Sequence, residues 1–393
     1  MFKHLFKLIW NKKKQNFLLM SEMLVSFLVI FAVFTLFVYY YNNYKKPIGF
    51  DYNDLWAVSY NNTYKTTNTD SLNTFYENLR GTIRSMPLVK EASFCSDNIP
   101  FSNNQWTGDV HYKGGTANAD HYTGDDNYKK TMNIKVLQGR WFEKADGMAK
   151  TTPVIINTSL KDKLFGSEEA VGKLMDEGDA KNSLRIIGVV QGVKAGGDYA
   201  LARPAIYKRI DTGSFHWLGK IMIRVTPGAD AAFESKLYKT MANYMKDSNV
   251  EIEHMANKRK SANLWSLIPM IVTSIVACFL IINVAMGLFG VLWYNINKRR
   301  GEIGLRRAIG ATAKSVSSQL VSEALVLTTF SLIIGTFFAI QFPLLNVFNL
   351  EAGIYIAALI LSIIFIYLLV TVCALYPGKQ AAAIYPAVAL HEE

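Results

Sequence analysis

Asp120, His121, Asp125 and Asp126 fall within seven residues, and their oxygens and imidazole are of types that bind calcium or zinc. Their spacing fits no EF-hand loop, and Gly124-Asp125-Asp126 has the composition of a polar turn between strands. No metal site is therefore assigned. Nucleotide chemistry has no support either, because the chain lacks a Gly-x4-Gly-Lys-Ser/Thr phosphate loop. A His-Glu-x-x-His zinc motif and a Gly-x-Ser-x-Gly nucleophile elbow are also absent, and the six histidines are scattered. Of three cysteines only Cys95 lies outside a hydrophobic stretch, which rules out a disulfide within the polar part of the chain. No catalytic residue is expected, and the chain is not read as an enzyme.

What remains is binding chemistry, concentrated in Asn297–Lys314. Glu302, Ile303, Leu305 and Ile309 have the spacing of a short helix, ended near Gly310 and flanked by Lys298, Arg299, Arg300, Arg306, Arg307 and Lys314. A helix that exposes both apolar and charged side chains wants a protein partner. Three polar residues inside apolar stretches carry weaker signals. Glu22 and Glu323 lie near the ends of their stretches, where snorkelling or pairing with a nearby cation is the simplest role. Asn283 is expected to bond across helices, while Gly287 and Gly290 suggest a close-packed helix face.

These residues must be positioned by a mostly apolar scaffold. Half of the 393 residues are hydrophobic and only 19% are charged, below the roughly 25% usual in soluble domains. The shortage is local. Four stretches predict membrane spans, at 17–41, 264–296, 316–342 and 353–375. The second, 33 residues without a charge, is too long for a hydrocarbon core of roughly 30 Å and predicts a helix that projects from the membrane, with Pro269 at a kink. Net charge is +11, but residues 42–262 hold 30 basic against 25 acidic residues. Much of the remaining excess lies at 1–16 and 297–315 beside the spans, the pattern of membrane topology and not of a nucleic-acid groove. Both basic segments are expected in the cytoplasm, with the 343–352 loop outside and the tail 376–393 inside. Residues 1–10 carry Phe2, Leu5, Phe6 and Ile9 at helical spacing, predicting a surface helix within the cytoplasmic segment 1–16.

The outside domain, 42–262, alternates short strands with helices. Leu55–Tyr60, Pro153–Ile156, Leu184–Val190 and Lys220–Val225 predict strands. Ser71–Met86, capped by Asp70 or Ser71, Ser159–Phe165 and Ala231–Lys246 predict helices. The fold class is thus a four-span α-helical transmembrane domain plus an α+β extracytoplasmic domain, in which a βαβ-like frame carries a strand-rich insert at about 101–194.

The run Arg300-Gly-Glu-Ile-Gly-Leu-Arg-Arg-Ala-Ile-Gly-Ala311 resembles the cytoplasmic signature of FtsX/MacB-type ABC transporter permeases. Tyr376–Leu390 resembles that family's closing segment, with Gly378 where alanine is usual. Met86–Ala92, Leu137–Phe142, Lys163–Gly166 and Ile186–Val190 resemble pieces of a MacB-like periplasmic core domain, in order. The resemblance implies a bacterial inner-membrane permease half with both termini cytoplasmic and a periplasmic core. It implies a coupling helix in which Glu302, Ile303, Leu305, Arg306, Arg307, Ile309 and Gly310 dock a separate ABC ATPase. Arg306 and Arg307 would pair with acidic groups of the ATPase, and Ile303 and Ile309 would fill its groove. ATP would be bound by that partner, with no cofactor on this chain. Also implied are a second permease copy or paralogue, the lipid bilayer, a periplasmic or outer-membrane partner, and no nucleic acid. Such a permease transmits ATP-driven motion to its periplasmic domain, for efflux of peptides or drugs or for lipoprotein extraction. The alternative is an FtsX-like signalling permease that activates a cell-wall hydrolase or a sensor kinase.

Overall fold

The computed structural model describes residues 13–61, 68–178, 182–210 and 218–383. The expected surface helix at 1–10 and the end of the tail lie outside them. The described chain divides into two compact units, one of residues 43–267 and one of the flanking residues.

In chain order, helix α1 is Lys13–Lys45, followed by β1 (Leu55–Ser59), α2 (Thr69–Arg84), β2 (Val89–Ser96), β3 (Thr107–Tyr112) and β4 (Gly115–Gly124). Then come α3 (Tyr128–Met132), β5 (Val136–Gly139), β6 (Thr152–Asn157), α4 (Thr158–Leu164), β7 (Leu174–Glu177), β8 (Asn182–Val190) and β9 (Ala205–Arg209). The chain continues through β10 (Leu218–Val225), α5 (Ala231–Tyr244), β11 (Glu251–His254), α6 (Met255–Lys298), α7 (Arg300–Ala308), α8 (Ala313–Leu344) and α9 (Ala352–Ala382).

The frame of the middle unit is the antiparallel order β11-β1-β10-β2. β1 and β2, joined through α2, flank β10; β10 and β11, joined through α5, flank β1. This is a split βαβ arrangement. Period-two alternation gives each face its own core. Trp56 and Val58 of β1 and Ile221 and Ile223 of β10 pack with Leu79 and Ile83 of α2 and Leu237 and Met241 of α5. Leu55, Ala57 and Met222 point the other way, onto Tyr122, Tyr128, Met132 and Tyr207. Helix α2 is capped by Asn68, whose side chain accepts from the amides of Asp70 and Ser71, so neither of the two expected caps serves.

The insert is a ring of six strands. β3, β7, β8, β6 and β9 follow one another from β4, and β9 returns to pair β4 in parallel. Val110, Ala119, Val154, Ile156, Ile186 and Ile206 form its core with Leu160 of α4. The insert therefore runs through Arg209, past the expected limit at 194, because β9 finds its partners in β4 and β6 and none in the frame.

The second unit holds the apolar helices. Four helices among the described residues are long and apolar enough to cross a membrane. Helix α6 has 44 residues and is continuous through Pro269, about 66 Å at 1.5 Å per residue. Met23, Phe27 and Phe31 of α1 pack with Ala324 and Leu327 of α8 and Ala358 and Ile366 of α9. Two glycines permit close approach: a Cβ on Gly335 would meet the Phe27 ring at 2.5 Å, and one on Gly287 would meet the Glu22 carboxylate at 2.3 Å. A Cβ on Gly290 would meet nothing within 4 Å among the described residues. Asn283 donates to the Phe279 carbonyl of its own helix at 2.8 Å, and among the described residues the expected bond across helices is not made.

Candidate functional site

The candidate site is α7 and the turn behind it. Gly310, at φ +106°, takes a left-handed conformation that a side chain would strain. Thr312 then caps α8 by accepting from the Ser315 amide. One face of α7 is closed. Ile303 is buried with Ile296 of α6, Val316 and Leu320 of α8 and Ala381 of α9, and Gly304 is buried beside it. A polar strut fixes the orientation. Arg299 donates to Glu323 at 3.0 Å, Gln319 to Glu323 at 3.2 Å, and Arg306 to Gln319 at 2.7 Å. Arg306 also pairs with Glu302 at 2.7 Å, one helical turn away.

The opposite face is open. Leu305 is 53% and Ile309 79% exposed, and Glu302 and Gly310 are exposed with them. Positions 302, 305 and 309 lie at helical spacing on one stripe. The seven expected docking residues thus divide. Glu302, Leu305, Ile309 and Gly310 are presented to solvent, and Arg307 is half-buried. Ile303 belongs to the core of its own chain and does not reach outward, which corrects its expected role as a groove-filling residue. Arg306 has its guanidinium engaged by Glu302 and Gln319, which braces the helix, while its side chain stays 42% exposed.

The acidic cluster of the middle unit disperses in the same way. Asp120 faces Arg203 at 3.4 Å, and Asp126 pairs bidentately with Arg209 at 2.7 and 2.9 Å. Asp125 accepts from Arg80 at 3.0 Å, Ser93 at 2.6 Å, and the amides of Phe94 and Asn127. Burial holds its carboxyl above the ordinary range despite those donors. His121 Nδ1 lies 3.1 Å from Glu177, which Lys208 also grips at 2.5 Å. His121 and Lys208 together hold Glu177 down to about 2 against the opposing effect of burial. Among the described residues no group of three or more His, Cys, Asp or Glu is arranged to hold a metal ion.

The structure also shows a site that the sequence did not. The loop between β8 and β9 carries Lys194, only 2% exposed. Its ammonium donates to the carbonyls of Asn43, Lys46 and Asp198, the first two at the end of α1. A cation there complements the helix C-terminus, and burial holds it below the ordinary lysine range. Four residues on, Asp198 pairs with Arg259 of α6 at 2.7 and 3.0 Å and accepts from Asn263 at 2.7 Å. The Asp198 amide donates back to Asn263 Oδ1 at 2.8 Å. Gly197, at φ +98°, lies against that Asn263 oxygen, where a Cβ would stand at 2.4 Å. One loop thus clasps the end of α1 and the start of α6. The Gly196-Gly197-Asp198 run signals a turn, but no periodic pattern marks a lysine as buried.

A folded α+β domain inserted between the first and second of four apolar helices, with a short amphipathic helix between the second and third, defines a multi-span membrane protein of permease type. The model of the MacB-like periplasmic core domain family matches residues 17–237, and that of the FtsX-like permease C-terminal family matches residues 274–386. This chain belongs to the MacB-type permease family, with a MacB-like periplasmic core domain and an FtsX-like C-terminal region. Among curated relatives, the macrolide export ATP-binding/permease protein MacB of Bdellovibrio bacteriovorus is 24% identical over 281 residues, 68% of this chain and 43% of that protein. The protein MacB 1/2 of Paracoccus denitrificans is 25% identical over 227 residues, 55% of this chain and 33% of that protein. This chain therefore matches less than half the length of these relatives. Among solved structures, the periplasmic region of MacB from Actinobacillus actinomycetemcomitans covers 54% of this chain and 94% of its own, at 13% identity and a TM-score of 0.38.

Proposed function

We propose that this chain is the permease of an ABC-type transporter and works by mechanical transmission. An ATPase whose sequence lies outside this chain docks on the stripe of Glu302 and Leu305 of α7 and Ile309 at its C-terminal cap, and binds the ATP. The observation that carries the reading is the continuity of α6, one helix from the Arg259–Asp198 clasp to Lys298, with Arg299 alone between it and α7. A stiff helix biased at one end by nucleotide is a lever for the domain at the other. In this reading the basic segments and both termini are cytoplasmic, the middle unit is periplasmic, and a second permease copy or paralogue completes the dimer. The names of the curated relatives, which specify macrolide export, support efflux over the signalling alternative.

Glu302→Arg tests the docking stripe. It removes the Arg306 partner and reverses a charge that is exposed. Loss of permease-stimulated ATP hydrolysis is expected, with membrane insertion intact. Stimulation equal to that of the wild type would refute the docking surface.

A further inference from the structure

The apolar helices border a groove of about 760 Å³ at the end of α8 remote from α7. Leu28, Ala32, Thr35 and Tyr39 line it from α1, one stripe at helical spacing. Phe338 and Phe342 line it from the last turns of α8. Its floor is well packed. Phe31 and Tyr355 are 3% and 2% exposed, with ring centroids 6.3 Å apart, and Phe342 stands 5.9 and 6.5 Å from them. The connection from α8 to α9 adds Val347, Phe348 and Leu350. Phe348 is a bulky residue at φ +60°, between Asn346 at +50° and Asn349 at +51°. That conformation costs a phenylalanine free energy, and such strain collects at ligand clamps. Tyr355 donates to the Val347 carbonyl and so ties the connection to α9.

Length, place and polarity together select the occupant. From Leu28 to Tyr39 the groove runs about 16 Å at 1.5 Å per residue, about half of a hydrocarbon core of roughly 30 Å. That is the depth of one leaflet. A spanning helix of a second copy would need a face along the whole span, which this groove does not offer. The bordering helices are those long and apolar enough to cross a membrane, so the medium around the groove is acyl chains and not water. The free polar groups lie at one end. The Thr35 hydroxyl donates to the Phe31 carbonyl at 2.7 Å, and that of Tyr355 is used by Val347. Among the described residues the Tyr39 hydroxyl and the Gln341 carboxamide, both in the lining, have no hydrogen-bond partner. Tyr39 lies near the end of α1 and Gln341 near the end of α8, at the membrane interface where tyrosines gather.

We propose that this groove holds one acyl chain of a glycerophospholipid from the leaflet remote from α7, with Gln341 and Tyr39 donating to its ester carbonyls. The site depends on the spans and on no ATPase, so it can fail while the transport reading stands.

The test uses the full chain in phosphatidylcholine nanodiscs that contain a small share of phosphatidylcholine with a diazirine near the methyl end of one chain. After irradiation, adducts are mapped by mass spectrometry. An excess is expected at residues 28–32 over residues 275–279 of α6, where Ile275, Val276 and Phe279 are at least as open to lipid. Ala32→Trp places an indole in the groove from an exposed position, so the variant is expected to fold, as its elution and circular dichroism would report. It should lose the excess. Ile333→Trp, at an exposed position of α8 outside the groove, should keep it. Gln341→Leu, which leaves the groove apolar, should lower it several-fold. An excess unchanged by Gln341→Leu would overturn the ester contact. Labelling at residues 28–32 no greater than on α6, or unchanged by Ala32→Trp, would overturn the site. An excess seen only in discs that hold a single chain would assign the groove to a second copy and overturn the proposal.

Discussion

Two isoleucines six residues apart carry opposite expectations. Ile303 is buried with residues of α6, α8 and α9, and truncation of a buried isoleucine costs about 2–5 kcal/mol. Ile303→Ala should therefore lower the thermal midpoint of the purified protein. Ile309, 79% exposed, should tolerate Ile309→Asp with no loss of stability, yet that variant should lose stimulated ATP hydrolysis. A stimulated rate that follows the midpoint in both variants would contradict the division of α7 into two faces. The sequence pointed to this segment but not to the face. Both sides of α7 carry an aliphatic residue, and nothing in their spacing tells which side meets neighbouring helices. Elsewhere, Glu177 gives a pH-dependent expectation. Its folded value of about 2 lies below its ordinary 4.5, so its stabilisation is full above pH 4.5 and is lost as pH falls towards about 2. Glu177→Gln should destabilise the protein at neutral pH, and the gap to wild type should close over that window in thermal melts. A gap independent of pH would assign the loss to packing.

At the scale of elements, the proposed transmission gives the clasp a role that can be tested. Lys194→Met keeps the length of the side chain but leaves the carbonyls at the end of α1 without their donor. Hydrogen exchange of the amides at 195–199 should accelerate by about ten-fold or more, while stimulation of the ATPase persists and export is lost. Unchanged exchange would show that the loop is held by other contacts. The frame was legible because its strands and helices carry clear periods. In β10, Ile221, Ile223 and Val225 face one core and Met222 the other. The ring was only partly legible. The end of the insert at β9 depends on parallel pairing with β4 across more than eighty residues, which no local pattern records. The 44-residue length of α6 was understated, since its first turns carry Lys258, Arg259 and Lys260 and look unlike a membrane span.

For the whole molecule, a soluble-like unit of residues 43–267 interrupts a unit of apolar helices. The large apolar side chains that stay exposed on those helices, Phe279 and Phe337 among them, are what helices facing a bilayer present. The α7 stripe is different, because it joins exposed apolar side chains to an exposed charge beside basic flanks. That contrast gives the central claim, that an ATPase outside this sequence binds the permease there. The direct measurement is affinity purification of the tagged chain from its native membranes in mild detergent, for wild type and for Ile309→Asp, with mass spectrometry of the eluate. An ABC ATPase in stoichiometric yield with wild type, and lost with Ile309→Asp, is the predicted result. Recovery of the permease without an ATPase, under conditions that keep other ABC transporters intact, would contradict the account, as would equal recovery of the ATPase with both proteins.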